Sequence, residues 1–214
     1  MYVKICGITK SDQAEAIAEM GVSALGFICV PNTPRYIDPA QIRIVTNALP
    51  ASVDRVGVFL DASMAEICQV VRSTGLNCVQ LHGGESPEFC HAFKSAIPKI
   101  KLIKALRIRS QESLKQVDNY CAGVDAVLLD AYDPKLAGGT GKTINWEMLK
   151  DFRPNCPWWL AGGLSPENVA IALQHLQPDG IDVSSGVEIA PGNKDLDRVR
   201  QLLEAVRQVV GKSQ

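Results

Sequence analysis

Val3-Lys4-Ile5-Cys6-Gly7-Ile8-Thr9-Lys10 is the stretch on which the fold turns. Its first four residues read as a strand, with Val3 and Ile5 on one face and Lys4 and Cys6 on the other, because successive side chains of a strand point to opposite sides. A single glycine follows. An open nucleotide-binding sheet usually carries a glycine-rich GxGxxG turn after its first strand, and Cys6-Gly7-Ile8-Thr9-Lys10 has none. Of the two strand-and-helix architectures this leaves a closed barrel ahead of a doubly wound open sheet.

Working outward, short apolar, β-branched runs begin near Tyr2, Ala24, Arg55, Asn77, Ile100, Asp125, Trp158 and Gly180, 22 to 33 residues apart. Between most of them apolar residues recur at helical spacing, as at Ala14, Ile17 and Ala18, or at Leu196, Val199, Leu203, Val206 and Val210. Strands alternating with helices imply parallel pairing through crossovers. Eight units predict an α/β fold, a single-domain (β/α)8 TIM barrel over residues 1–214, lean beside a typical length of ~250. No linker or abrupt composition shift divides the chain. Lys4 and Cys6 are then expected to point into the barrel. A second strand is predicted from Ala24 to Val30. A sixth, from Val124 to Asp130, places Ala126, Leu128 and Asp130 on one face. Active sites of such barrels lie at the carboxyl ends of the strands.

The chain has 214 residues, 46% hydrophobic and 21% charged, with a net charge of −1, so no broad field exists to gather nucleic acid or an anionic membrane. An anionic ligand must be held locally. Seven cysteines without a CxxC pair and three scattered histidines argue against a zinc site, and the odd count suits a reducing compartment. Lys4, Lys10 and Asp12 interrupt any apolar leader-like run near the N-terminus, and no uncharged apolar run reaches the ~18 residues of a membrane span. A cytoplasmic protein is expected, with no nucleic-acid or membrane partner, working as a monomer or a homodimer.

Four segments carry the chemistry. Cys6 ends the first strand; a thiol there is a base or nucleophile if a positive neighbour such as Lys4 lowers its pKa, and otherwise a small buried hydrophobe. Asp130 ends the sixth strand, followed by Ala137-Gly138-Gly139-Thr140-Gly141-Lys142-Thr143. It is placed to be a general acid if burial raises its pKa; the plainer role is a turn cap or a lysine partner. The glycine run is no P-loop, because the glycine that motif requires falls on Leu136. Gly162-Gly163 and Ser184-Ser185-Gly186 end the seventh and eighth strands, where barrels frequently grip phosphate with backbone N–H groups. A short helix beginning after Ser185 would add its positive end. Arg35, in Pro34-Arg35-Tyr36-Ile37, can hold a carboxylate through two parallel hydrogen bonds. His82, in Gln80-Leu81-His82-Gly83, is expected to support a neighbour by hydrogen bonding rather than to bind metal. Lys4, Gln80, Lys104 and Asp182 are expected inside the barrel, satisfying one another or a ligand.

Read in order, these segments resemble the phosphoribosylanthranilate isomerases. The matching motifs are Val3-Lys4-Ile5-Cys6-Gly7-Ile8-Thr9; Ala24-Leu25-Gly26-Phe27 with Pro34-Arg35-Tyr36-Ile37; Arg55-Val56-Gly57-Val58-Phe59; Val79-Gln80-Leu81-His82-Gly83; Leu128-Leu129-Asp130; Gly138-Gly139-Thr140-Gly141-Lys142-Thr143; Gly162-Gly163-Leu164 with Pro166-Glu167-Asn168-Val169; and Asp182-Val183-Ser184-Ser185-Gly186-Val187-Glu188. They run the length of the chain in the family's order. The resemblance implies an Amadori rearrangement of N-(5-phosphoribosyl)anthranilate in tryptophan biosynthesis, with Cys6 where the family keeps its general base and Asp130 where it keeps its general acid. It implies that Arg35 holds the anthranilate carboxylate and that the glycine and serine loops hold the phosphate. Ile144-Asn145-Trp146 departs from the pattern, an acidic residue being common before the Trp. No metal or organic cofactor is expected, since the substrate's amine is its own electron sink. The competing readings are another ribose-phosphate barrel, such as the histidine-pathway aminoaldose isomerase or indole-glycerol-phosphate synthase, and a non-catalytic phosphosugar-binding barrel. The first of these typically places aspartate where this chain has Cys6, and the last has no need of Cys6 and Asp130 together.

Overall fold

Eight parallel strands close on themselves in chain order in the computed structural model, which describes residues 1–130 and 146–211. The glycine-rich stretch 137–143 and the departure at 144–145 lie outside the described residues. The strands are β1 (Tyr2–Cys6), β2 (Ala24–Ile28), β3 (Asp54–Phe59), β4 (Cys78–Leu81), β5 (Lys101–Arg107), β6 (Ala126–Asp130), β7 (Trp158–Ala161) and β8 (Gly180–Val183). Pairing of β1 with β8, which sets Lys4 opposite Asp182, closes the ring. Each start lies within one residue of the apolar run that marks it in the sequence, but β2, read as Ala24 to Val30, ends at Ile28, and β6, read as Val124 to Asp130, begins two residues later at Ala126.

The ring is wrapped by α1 (Ser11–Glu19), α2 (Pro39–Ala48), α3 (Met64–Thr74), α4 (Pro87–Ala96), α5 (Gln111–Lys115), α6 (Asp118–Cys121), α7 (Val169–His175) and α8 (Leu196–Val210). Local sequence explains several starts. Asp38 accepts from the N–H groups of Ala40 and Gln41 ahead of Pro39, and Ser63 and Glu66 form a reciprocal cap on α3. Both arrangements satisfy N–H groups that the first helical turn leaves unpaired.

Two apolar layers result. An outer layer between strands and helices buries Val3, Ile5, Ile17, Phe27, Phe93, Val127 and Val199. The barrel interior holds Ala24, Val56, Cys78, Ile103, Ala105, Ala126, Leu128 and Trp159. The alternation expected of the first and sixth strands is therefore present, with Val3 and Ile5 outward and Ala126 and Leu128 inward. At the amino end Tyr2 stacks on Trp159 with ring centroids 4.4 Å apart, and Asp54 accepts from Tyr2 and from Lys101.

Three features differ from the sequence-based expectations. Lys104 is not inside the barrel: Ile103 and Ala105 take the inner face, and Lys104 turns outward, where its ammonium meets Glu85 at 2.9 Å and the Gly83 carbonyl at 2.7 Å. The short helix after Ser185 is only a three-residue 3-10 turn, Ser185–Val187, too short for a useful dipole. It leads into a small hairpin, β9 (Glu188–Ala190) and β10 (Asn193–Lys194), for which no pattern was read. Finally, Cys121 and Cys156 form a disulfide across 35 residues, with Cα atoms 5.2 Å apart.

Candidate active site

A cavity of about 320 Å³ opens at the carboxyl ends of the strands. Cys6 reaches it from β1, Gln80 and His82 from β4 and the turn beyond it, and Asp130 from β6. Gly162 and Gly163 reach it from the end of β7, Asp182 from β8, and Ser184 and Ser185 from the loop after β8. Arg35 closes the side above β2 with Thr33 and Pro34, while Ile28, Val58, Ala161 and Leu164 supply apolar wall. Of the residues singled out from sequence, Lys4 and Gly186 lie behind this lining rather than in it.

The charges beneath the cavity are paired. Lys4 is fully buried and bonds Asp182 at 2.9 Å. Burial works against its charge, but the Asp182 carboxylate more than compensates and holds Lys4 protonated. Cys6, buried above it, has its thiol pushed up by burial; Lys4 and Lys194 pull it down without cancelling that effect, and Asp182 adds to the rise. Lys4 thus acts on Cys6 in the direction read from sequence, yet burial wins at rest.

Across the ring, His82 Nε2 lies 3.4 Å from Asp130 Oδ2, and His82 Nδ1 lies 3.0 Å from Gln80 Nε2. Gln80, His82 and Asp130 therefore form a row. The Asp130 side chain is 24% exposed, open to the cavity rather than sealed in apolar surroundings.

The β7 and β8 loops fit an anion. Gly162 and Gly163 both have positive φ, 93° and 67°, a backbone that glycine adopts without strain. Gly186 has a different reason to be glycine: a Cβ there would stand 1.9 Å from the Leu164 carbonyl oxygen, so the two loops could not pack together. These contacts bring backbone of both loops to one edge of the cavity, where N–H groups suit a phosphate.

Glu188 and Lys194 were missed as functional residues. Glu188 takes the Nε and one Nη2 hydrogen of Arg35, at 3.0 and 2.6 Å. A guanidinium has a second two-donor edge, formed by Nη1 and Nη2, and that edge is not used by Glu188. Lys194, fully buried, donates to the backbone carbonyls of Cys6 and Ser184 and to Glu188 Oε1. Burial raises the Glu188 carboxyl, but bonds from Arg35 and Lys194 outweigh it and hold Glu188 below the usual carboxylate range. Glu188 was visible as the last residue of a quoted motif; Lys194 stands in no local pattern.

A thiol and a carboxyl group facing one cavity, with an anion seat between β7 and β8 and a cation above β2, can carry out paired proton transfers on a substrate with an acidic group at each end. Among the described residues, no cluster of three or more His, Cys, Asp or Glu side chains is placed to hold a metal ion.

Comparison with known proteins points the same way. Residues 3–205 match the sequence model of the family described as N-(5'phosphoribosyl)anthranilate (PRA) isomerase. The N-(5'-phosphoribosyl)anthranilate isomerase of Nostoc punctiforme is 55% identical over 204 residues, covering 95% of this chain and 97% of that protein. That of Rippkaea orientalis is 54% identical over 212 residues, with 99% of each chain covered. Among solved structures, the phosphoribosyl anthranilate isomerase of Thermotoga maritima superimposes with a TM-score of 0.88 at 35% identity, covering 99% of both chains. A phosphoribosyl anthranilate isomerase in complex with reduced 1-(o-carboxyphenylamino)-1-deoxyribulose 5-phosphate gives a TM-score of 0.82 at 36% identity, again over 99% of each chain.

Proposed function

The chain belongs to the N-(5'-phosphoribosyl)anthranilate isomerase family, and on that premise we propose that Cys6 is the general base and Asp130 the general acid of its reaction. The enzyme is an isomerase of tryptophan biosynthesis that converts N-(5-phospho-β-D-ribosyl)anthranilate into 1-(2-carboxyphenylamino)-1-deoxy-D-ribulose 5-phosphate. The observation that carries the residue assignment is that Cys6 and Asp130, 124 positions apart in sequence, line one cavity together with the glycine and serine loops.

The phosphate sits on backbone N–H groups of Gly162, Gly163, Ser184 and Ser185, with Gly186 permitting the loops to meet. The carboxylate is held by the free edge of Arg35. Asp130, carrying a proton, gives it to the ribose ring oxygen as the bond from that oxygen to the anomeric carbon breaks, and the amine nitrogen supplies the electron pair that makes the iminium. The iminium acidifies the neighbouring carbon, and Cys6 takes its proton in the thiolate form that the Lys4 and Lys194 charges favour, leaving an enolamine. The C2 hydroxyl proton then returns to Asp130 while the thiol protonates the former anomeric carbon, which restores both groups. Each positioned proton transfer contributes ~10²–10⁴-fold. Lys4 and Asp182 support Cys6, and His82 supports Asp130. Because the substrate's own nitrogen accepts the electrons, the chemistry needs no cofactor or metal.

Addition of freshly made phosphoribosylanthranilate to the purified protein is expected to extinguish its anthranilate-type fluorescence, with a chelator making no difference. Asp130→Asn is expected to lose ~10³-fold or more in kcat and Cys6→Ser ~10²-fold or more, both still binding the reduced product analogue. Undiminished turnover in either variant removes its assigned role. We take it to work in the cytoplasm without a nucleic-acid partner, as suits a family of biosynthetic enzymes; among the described residues no helix is long and apolar enough to cross a membrane. One relative, from Thermotoga maritima, is described as dimeric, and light scattering distinguishes monomer from homodimer for this chain.

A further inference from the structure

Gln80 is the polar residue that β4 presents to the cavity, and it is 1% exposed. Its Nε2 is 3.0 Å from His82 Nδ1. Its Oε1 has no hydrogen-bond partner, and among the described residues only Arg55 Nε shares that condition, away from the cavity lining. Buried polar atoms are nearly always bonded, so an unpaired acceptor at the wall of a binding cavity marks the position of a ligand donor.

We propose that Gln80 is a substrate-binding residue with two tasks: Oε1 accepts a hydrogen bond from a pentose hydroxyl, and Nε2 fixes the tautomer of His82 that faces Asp130. This rests on the assignment of the cavity as the pentose-phosphate site. The ligand group must be a donor, because a carbonyl oxygen only accepts. Phosphate and carboxylate carry no such hydrogen when ionised, and the anilino N–H is turned toward its own ortho carboxylate. The sugar hydroxyls are the donors left.

The second task follows from the histidine. A neutral imidazole has one N–H and one bare nitrogen. When Gln80 Nε2 donates to Nδ1, the ring hydrogen is on Nε2, the nitrogen that lies 3.4 Å from Asp130 Oδ2. Oδ2 then faces the N–H-bearing nitrogen, which favours Oδ1 as the seat of a proton carried by Asp130. One amide thereby reads the sugar and decides which oxygen of the acid is charged with the proton.

Two variants separate the tasks. Gln80→Glu keeps an acceptor for the hydroxyl but replaces the N–H donor, so Nδ1 carries the hydrogen and the neutral ring turns a bare nitrogen toward Asp130. KM is expected to stay within about threefold, while kcat falls about 10²-fold. Gln80→Met removes both bonds at similar volume, and KM is expected to rise about tenfold in addition to the fall in kcat. Native KM for Gln80→Met, or native kcat for Gln80→Glu, overturns the proposal. Thermal melts accompany both; if Gln80→Met does not fold, the split between kcat and KM of Gln80→Glu decides. Failure of the unsubstituted enzyme to consume phosphoribosylanthranilate counts against the cavity assignment, whereas an active enzyme indifferent to both substitutions counts against Gln80 alone.

Discussion

Arg35 shows how much of a side chain's role is set by a residue far along the chain. Its partner Glu188 lies 153 positions away, and Glu188 in turn leans on Lys194. Glu188→Gln keeps the shape but removes the charge that steadies the guanidinium. KM is expected to rise about tenfold with kcat nearly intact, the pattern of lost uniform binding; an equal fall in kcat would place Glu188 in the chemistry instead. The same substitution tests a pH dependence. Glu188 has a folded pKa below its unfolded value, near 4.3, so its contribution to stability is present above that value and drains away as pH falls through the folded one. Melting curves of Glu188→Gln are therefore expected to show a shallower acid limb than those of the unsubstituted protein. At this scale the place of Cys6, Asp130 and Arg35 at the cavity was readable because strand ends and the loops beyond them are where barrels keep polar side chains. Glu188 and Lys194 were not, since the bonds that define them link positions 153 and 188 residues apart and leave no spacing to detect.

Among the elements, strands were located to within one or two residues at their starts because each holds a short apolar run that stands out from its polar flanks. Their faces were harder. In Leu102-Ile103-Lys104-Ala105-Leu106 nothing alternates between polar and apolar, so the stretch does not say that Lys104 faces the helices, and only its pairing with Glu85 reveals it. The hairpin of β9 and β10 is too short for any period to register. Yet it delivers Glu188 and Lys194 to the site and leads directly into α8, whose start is fixed by Asp195 accepting from the N–H groups of Asp197 and Arg198. Asp195→Ala is expected to cost about 1 kcal/mol of unfolding free energy in urea titrations. A loss that also raised KM would show that the cap holds the hairpin in place; an unchanged midpoint would mean that α8 is secured by packing alone.

The whole molecule divides its labour between layers. The helix-facing layer contains most of the large buried apolar side chains, and the cavity lies at the carboxyl rim, beyond the far end of the barrel from Tyr2 and Trp159. Phe93→Ala, in the outer layer, is expected to cost about 3–5 kcal/mol of stability while leaving kcat and KM unchanged well below the melting temperature. A matching loss of turnover would show that the layers are coupled. The eightfold recurrence of strand and helix was legible from spacing alone, because a parallel barrel repeats one unit whose inner and outer surfaces are fixed by strand parity and helical period. The Lys194 ammonium breaks that modularity. It clasps the backbone where the thiol emerges, the backbone where the serine loop starts, and the carboxylate that steers Arg35. Three instruments are thus mounted on a single pin, and the span between them is a fixed ruler. If Cys6, the serine loop and Arg35 each meet the substrate as proposed, exchanging one loop for a shorter or longer phosphosugar leaves the other two aimed at the old length, and a change of substrate size has to begin by replacing the pin.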